Sequence, residues 1–119
     1  MNIILNLLVI RTEDIEALSQ FYEKLGVNFD YHRHGKGPMH YSAKVGETVF
    51  EIYPFLKNQE VADYSLRLGF AVDDLDELIA NLKQIDITIV KNPVLTEWGY
   101  HAIVKDLDGR KIELTEKQL

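Results

Sequence analysis

Apolar and polar positions along this chain follow two periods in turn, and the same succession of periods occurs twice. From Ile3 to Ile10 the chain is almost continuously apolar, which predicts a buried strand. Ile15, Leu18, Phe21, Tyr22 and Leu25 then recur at helical spacing. Thr12 stands where a cap is expected, and Gly26 where the helix should end. Val27 to Tyr31 reads as a strand. His32 to Pro38, with two glycines and a proline, reads as a loop. Met39–Val45 and Thr48–Tyr53 form a hairpin about Gly46-Glu47. After a polar linker, Pro54 to Tyr64, the order repeats. Leu66–Val72 is a strand and Asp73 a cap. Leu75, Leu78, Ile79, Leu82 and Ile85 form a helical stripe, and Ile87–Val90 is a strand. Asn92–Gly99 is a loop, and Tyr100–Lys105 and Arg110–Thr115 form a hairpin.

Each half is therefore β-α-β-β-β, and the repeat is visible in spacing. Glu51 and Glu113 are 62 positions apart (113 − 51), and His40 and His101 are 61 apart (101 − 40). The expected organisation is one domain over 1–119, built from modules 1–56 and 64–119. The fold class is α+β, with two modules whose sheets curl around a shared cavity.

Strand side chains alternate between faces, and the more apolar face should pack on the helix. Phe50, Ile52, Leu68, Phe70, Ile112 and Leu114 then lie against helices. Eight polar side chains project the other way: Asn6, His40, Ser42, Lys44, Glu51, Arg67, His101 and Glu113. A sheet face this polar is either bare to solvent or the wall of a cup.

Composition narrows the partners. A net charge of −6 supplies no basic stripe for nucleic acid, and the apolar N-terminal run is too short to span a bilayer. The absence of cysteine excludes disulfides and thiolate metal sites. A cytoplasmic protein that binds neither nucleic acid nor membrane is expected. The segment Asp106-Leu107-Asp108-Gly109 suggests a calcium loop but fails, because Gly109 at loop position 6 puts Val104 at position 1. A tight hairpin turn is expected there instead.

Four segments resemble one family in order along nearly the whole chain. They are Phe21-Tyr22-Glu23-Lys24-Leu25-Gly26, Phe50-Glu51-Ile52-Tyr53, Gly69-Phe70-Ala71-Val72-Asp73-Asp74, and Asp106-Leu107-Asp108-Gly109-Arg110-Lys111-Ile112-Glu113-Leu114. They are similar to the vicinal oxygen chelate superfamily, which holds glyoxalase I, bleomycin- and fosfomycin-resistance proteins and extradiol dioxygenases. The resemblance implies a homodimer with isomerase, lyase or dioxygenase-type chemistry on a small polar metabolite. Its alternative is a non-enzymatic protein that sequesters a drug or metabolite. A dimeric interaction module with a vestigial pocket is a third reading. Metal-dependent members place ligands on the first and last strands of each unit, which here are Asn6 (or Leu7, one residue on), Glu51, Arg67 and Glu113. An arginine cannot ligate a cation. The implied metal site is thus degenerate, no cofactor is expected, and glyoxalase I activity is not expected. A divalent ion, if bound at all, would fall to Glu51 and Glu113.

The individual residues carry alternatives. Glu51 and Glu113 read as general bases, metal ligands or plain exposed strand glutamates. Arg67 reads as the partner of a glutamate or as the anchor of a ligand anion. His101 and His40 suit proton transfer or ligation, or are partly exposed strand-start residues. His32 and His34 read as solvated loop residues with at most a weak, adventitious affinity for metal. Trp98, beside Gly99, reads as lining a ligand mouth, a subunit contact or the core. Together, Glu51, Glu113 and His101 are the catalytic candidates, and Asn6, His40, Arg67 and Trp98 the ligand-binding ones.

Overall fold

Strand, helix and three further strands follow one another twice along the chain. The computed structural model describes residues 1–118. The order is β1 (Leu7–Thr12), α1 (Ile15–Lys24), β2 (Asp30–His32), β3 (His40–Val45), β4 (Thr48–Pro54), then β5 (Leu68–Val72), α2 (Leu75–Leu82), β6 (Ile89–Thr96), β7 (Gly99–Lys105) and β8 (Lys111–Glu116). The contacts divide it into two units, Met1–Asp63 and Tyr64–Leu119. Each holds a four-stranded mixed sheet, ordered β1-β4-β3-β2 in the first and β5-β8-β7-β6 in the second. In both, the opening strand pairs parallel with the closing one.

In the first unit α1 buries Leu18, Phe21 and Tyr22 against a sheet face carrying Ile10, Ala43, Phe50 and Ile52. Tyr22 meets Phe50 edge-on, with centroids 5.1 Å apart. In the second, α2 buries Leu75, Ile79 and Leu82, and the sheet supplies Ala102, Val104, Ile112 and Leu114. Burying such side chains contributes about 1.5–3 kcal/mol each, which is what holds each helix on its sheet. Phe50, Ile52, Ile112 and Leu114 are buried as expected, while Leu68 and Phe70 are half-buried.

Several boundaries differ from the sequence reading. Met1 to Asn6 is not strand, and Ile3, Ile4 and Leu5 are exposed, because β1 finds its partner only where β4 begins. Thr12 is buried within β1, so the α1 cap is Asp14, whose Oδ1 accepts from Ala17 N at 3.0 Å. The α2 cap is likewise Asp74 rather than Asp73, accepting from Glu77 N at 3.1 Å. Glu116 Oε1 accepts from Leu75 N at 3.0 Å and satisfies another free helix-end amide. The predicted loop Asn92–Gly99 is mostly strand. Pro93 reads as a breaker, but β6 is an edge strand, where a missing amide costs no ladder bond, and the register shifts between Lys91 and Val94 absorb it. Among the described residues, no helix is long and apolar enough to cross a membrane.

Candidate functional site

Each unit turns one sheet face away from its helix, and the polar candidates sit there. In the first unit β4 places Glu51 opposite Ser42 of β3 and Val9 of β1. His40 is two residues before Ser42 and so shares that face, and β2 sets His32 directly opposite His40. His40 is fully buried and Glu51 is 6% exposed. His40 Nε2 lies 3.2 Å from Glu51 Oε2, without the direction of a hydrogen bond. His40 Nδ1 is 3.1 Å from the Pro38 carbonyl. A carbonyl only accepts, so Nδ1 carries the hydrogen, and in the neutral imidazole Nε2 then keeps its lone pair. His34 Nε2 lies 3.6 Å from Glu51 Oε2 and 3.4 Å from His32 Nε2. Tyr53 stacks on His40 with centroids 4.0 Å apart, and Arg11 sits 5.0 Å over the Tyr53 ring. Burial first, then the Glu51 charge, raises the Tyr53 phenol above its ordinary range, against the opposing pull of Arg11.

The reading of His32 and His34 as solvated loop residues therefore fails in part. His34 is exposed, but His32 is a half-buried β2 residue, and both turn their Nε2 atoms toward Glu51 and His40. The strand expected over Val27–Tyr31 is β2, which begins at Asp30 and runs one residue further, to His32. Extended to His32, it pairs that residue with His40, and the alternation rule alone puts both imidazoles on the Glu51 face.

The second unit treats its repeat glutamate differently. Arg67 precedes Gly69 by two residues, and Gly69 pairs with Glu113, so Arg67 falls on the Glu113 side. Its guanidinium holds Glu113 Oε2 at 2.9 Å, and His101 Nε2 meets Oε1 of the same carboxylate at 3.1 Å. Beside this group a recess of about 340 Å³ is lined by Tyr64, Ser65, Arg67, Lys105, Gly109 and Lys111. Three of those six residues, Arg67, Lys105 and Lys111, are basic. A larger recess, about 820 Å³, lies against the first unit's Glu13, Asp14, Ile15, Glu16, Tyr31 and Tyr41. Its three carboxylates sit at the α1 N-terminus, where they complement the helix end, and none of the candidate residues lines it.

Asn6 and Trp98 belong to neither group. Asn6 is exposed ahead of β1 and contributes its main-chain oxygen, which accepts from Val49 N at 2.8 Å. By pairing, Leu7 rather than Asn6 matches Arg67: Val9 faces Glu51 as Gly69 faces Glu113. Trp98 is 76% exposed at the tip of the β6–β7 hairpin, so it does not pack in the core. The four metal-ligand positions implied by the family resemblance thus carry an apolar side chain, a glutamate, and an arginine already paired with the other glutamate. They do not fit a metal, and no chemistry is assigned to one there.

The comparisons agree with this architecture. The sequence pattern of the Glyoxalase/Bleomycin resistance protein/Dioxygenase superfamily matches residues 4–114. No curated protein matches the chain. Among solved structures, TnmS3, an antibiotic binding protein from Streptomyces sp. CB03234, is 24% identical with a TM-score of 0.78, covering 98% of each chain. Oxidase ChaP-H2 is 15% identical with a TM-score of 0.78, covering 99% of this chain and 96% of that one. A glyoxalase/bleomycin resistance protein from the same Streptomyces strain is 25% identical with a TM-score of 0.72, covering 93% and 98%.

Proposed function

The chain belongs to the glyoxalase/bleomycin resistance/dioxygenase superfamily, and from that premise we propose that it binds, and transforms, a small anionic metabolite at the recess of its second module. The observation that carries this reading is the convergence of Arg67, Lys105 and Lys111 on one recess, beside a carboxylate already paired to a histidine. A carboxylate or phosphate of the ligand takes the guanidinium and ammonium groups as donors. Glu113 and His101, hydrogen-bonded at 3.1 Å, then form an acid–base pair for moving a proton on the bound molecule. The reaction class is isomerase, lyase or dioxygenase-type, as in the superfamily. Glu51 and His40 belong to the first module's face and are given no catalytic part here.

The second reading is a non-enzymatic binder of the bleomycin-resistance type. The half-exposed Arg67, already neutralised by Glu113, favours holding a ligand as much as transforming one. TnmS3, named as antibiotic binding, supports it at the level of fold. Assembly as a cytoplasmic homodimer completes the proposal.

The test is a thermal-shift screen of small carboxylates and phosphates on wild type, Arg67→Met and Glu113→Gln. An anionic hit that Arg67→Met weakens by about tenfold or more supports the anion site, since losing a charge-assisted bond typically costs about 1.5–3 kcal/mol. Hits that ignore Arg67→Met overturn it. Turnover of the hit, reduced in kcat by Glu113→Gln, separates enzyme from binder. Sedimentation of the same sample at 13.8 kDa would remove the dimer.

A further inference from the structure

We propose that His32, His34, His40 and Glu51 form a site for one divalent first-row transition ion within the first module. The donors are three imidazole nitrogens and a carboxylate oxygen, all within 4.8 Å of one another. This set differs from the one the family resemblance implies. It shares only Glu51 with it and draws its imidazoles from β2, β3 and the loop joining them.

The geometry is that of a ligand shell. Tetrahedral zinc with bonds of about 2.0–2.2 Å places its donors about 3.3–3.6 Å apart. The measured separations are 3.2 Å for His40–Glu51, 3.4 Å for His32–His34 and 3.6 Å for His34–Glu51. The other three donor pairs stand within 4.8 Å, so ligation asks for shifts of about 1 Å in those pairs.

His40 is the decisive residue. It is fully buried, and its Nε2 has no hydrogen-bond partner among the described residues. A buried polar atom left without a partner costs about 1–3 kcal/mol. Its Nδ1 donates to the Pro38 carbonyl, the arrangement that fixes a metal-ligating histidine with the other nitrogen bare. Two lone-pair carriers, His40 Nε2 and Glu51 Oε2, thus face each other at 3.2 Å. Neither can satisfy the other while His40 is neutral, and a cation between them satisfies both. Stacking on Tyr53 holds the His40 ring in that orientation. Imidazole and carboxylate donors together suit zinc, nickel, cobalt or iron rather than calcium or magnesium, which take oxygen ligands.

The inference is independent of the anion recess and is tested separately. Tag-free protein, stripped with chelator, is titrated with Zn²⁺ against a chromophoric competitor, and with Co²⁺ followed by visible absorption. The expected result is one ion per chain and the strong visible bands of four-coordinate cobalt. His34→Ala, at an exposed position that should not disturb folding, should weaken Zn²⁺ binding by more than the about 10–100-fold that loss of an outer-sphere partner costs. Glu51→Gln should weaken it similarly, and circular dichroism checks that both variants are folded. Glu113→Gln should leave the affinity unchanged. No zinc binding at micromolar concentration overturns the proposal. So does wild-type affinity in His34→Ala and Glu51→Gln. Loss of zinc in Glu113→Gln would also overturn it, since the ion would then depend on the second module.

Discussion

The two modules place a glutamate at the same point of the same strand and then surround it with opposite chemistry. Glu51 meets three imidazoles, all of them from the β2–β3 hairpin. Glu113 meets one imidazole and a guanidinium. Arginine is always charged and has no lone pair to give, so the second module closes its carboxylate with a cation of its own. An imidazole offers a lone pair in its neutral form instead, so the first module surrounds its carboxylate with groups that can share a bound cation. The scaffold thus fixes where a carboxylate sits, and the neighbouring strand and loop decide whether it ends as an ion pair or as a ligand.

The same contrast runs through the closing hairpins. The first module turns through Gly46-Glu47 alone, with Gly46 at φ +59°, a conformation other residues rarely take. The second turns through five residues, 106–110, around fully buried Arg110. Arg110 donates to Asp106 at 3.1 Å and Asp108 at 2.9 Å, and Asp106 Oδ1 accepts from the main chain of Asp108 and Arg110. Burial alone would lower the Arg110 pKa, but its bonds to Asp108 and the Asp106 charge outweigh burial and raise it. The guanidinium therefore stays charged wherever the protein is folded. Arg110→Met strands Asp106 without its counter-charge, and breaking a buried pair this way costs about 3–5 kcal/mol. Glu47→Ala in the exposed first turn should stay within about 0.5 kcal/mol. Urea unfolding measures both, and equal midpoints would erase the contrast.

A smaller effect, and a more direct one, comes from rewriting the second module in the language of the first. Arg67→His removes the internal cation and leaves two imidazoles beside Glu113. The variant should bind one more equivalent of Zn²⁺ than wild type, more weakly than the first-module set because it has one ligand fewer. Its cost in stability should be slight, since the Arg67–Glu113 pair is 54% and 37% exposed and such pairs contribute about 0–1 kcal/mol. Unchanged stoichiometry in the competitor titration would show that the guanidinium is not what separates the two glutamates.

Much of this was legible from residue pattern. Strand alternation found the two polar faces and placed His40, Glu51, Arg67, His101 and Glu113 on them, because a two-residue period leaves only two choices. Complementary charge then suggested that Arg67 pairs with a glutamate or holds a ligand anion, and the glutamate it meets is Glu113. Local features misled where tertiary pairing overrode them. Pro93 sits inside β6 because that strand is an edge, and Asn6 lost its place to Leu7 because the opening strands are offset by 60 residues while the glutamates are offset by 62. The imidazole cluster was hidden by composition. His32 and His34 flank Arg33 at the entry to a Gly-Lys-Gly-Pro segment, and glycine and proline mark loops without saying where the loop's side chains return. The β2–β3 register returns His32 to the Glu51 face, and the 3.6 Å contact of His34 with Glu51 emerges only from the folded loop.

The smallest effect separates the modules at the junction of helix and sheet. Tyr100 Oη donates to Asp76 Oδ1 at 2.6 Å, tying β7 to α2. In the first module the repeat position of Tyr100 is Met39, at the 61-residue spacing of the two strand-start histidines, and methionine has no hydroxyl to give. The bond to Asp76 is the main cause that raises the Tyr100 phenol above its ordinary 10.0, with burial and the charges of Asp76 and Glu116 adding to it. A raised folded-state value means that the unfolded chain releases this proton first. The stabilisation is therefore fully present below the ordinary tyrosine range and is lost as pH climbs through the raised value. Wild type should melt slightly above Tyr100→Phe at neutral pH, and the gap should close in strongly alkaline buffer. In an ultraviolet titration, Asp76→Asn should move the tyrosine signal that Tyr100→Phe removes back toward the ordinary range. If the gap between wild type and Tyr100→Phe is the same at both pH values, the hydroxyl contributes only through packing, and the two modules join helix to sheet by the same means.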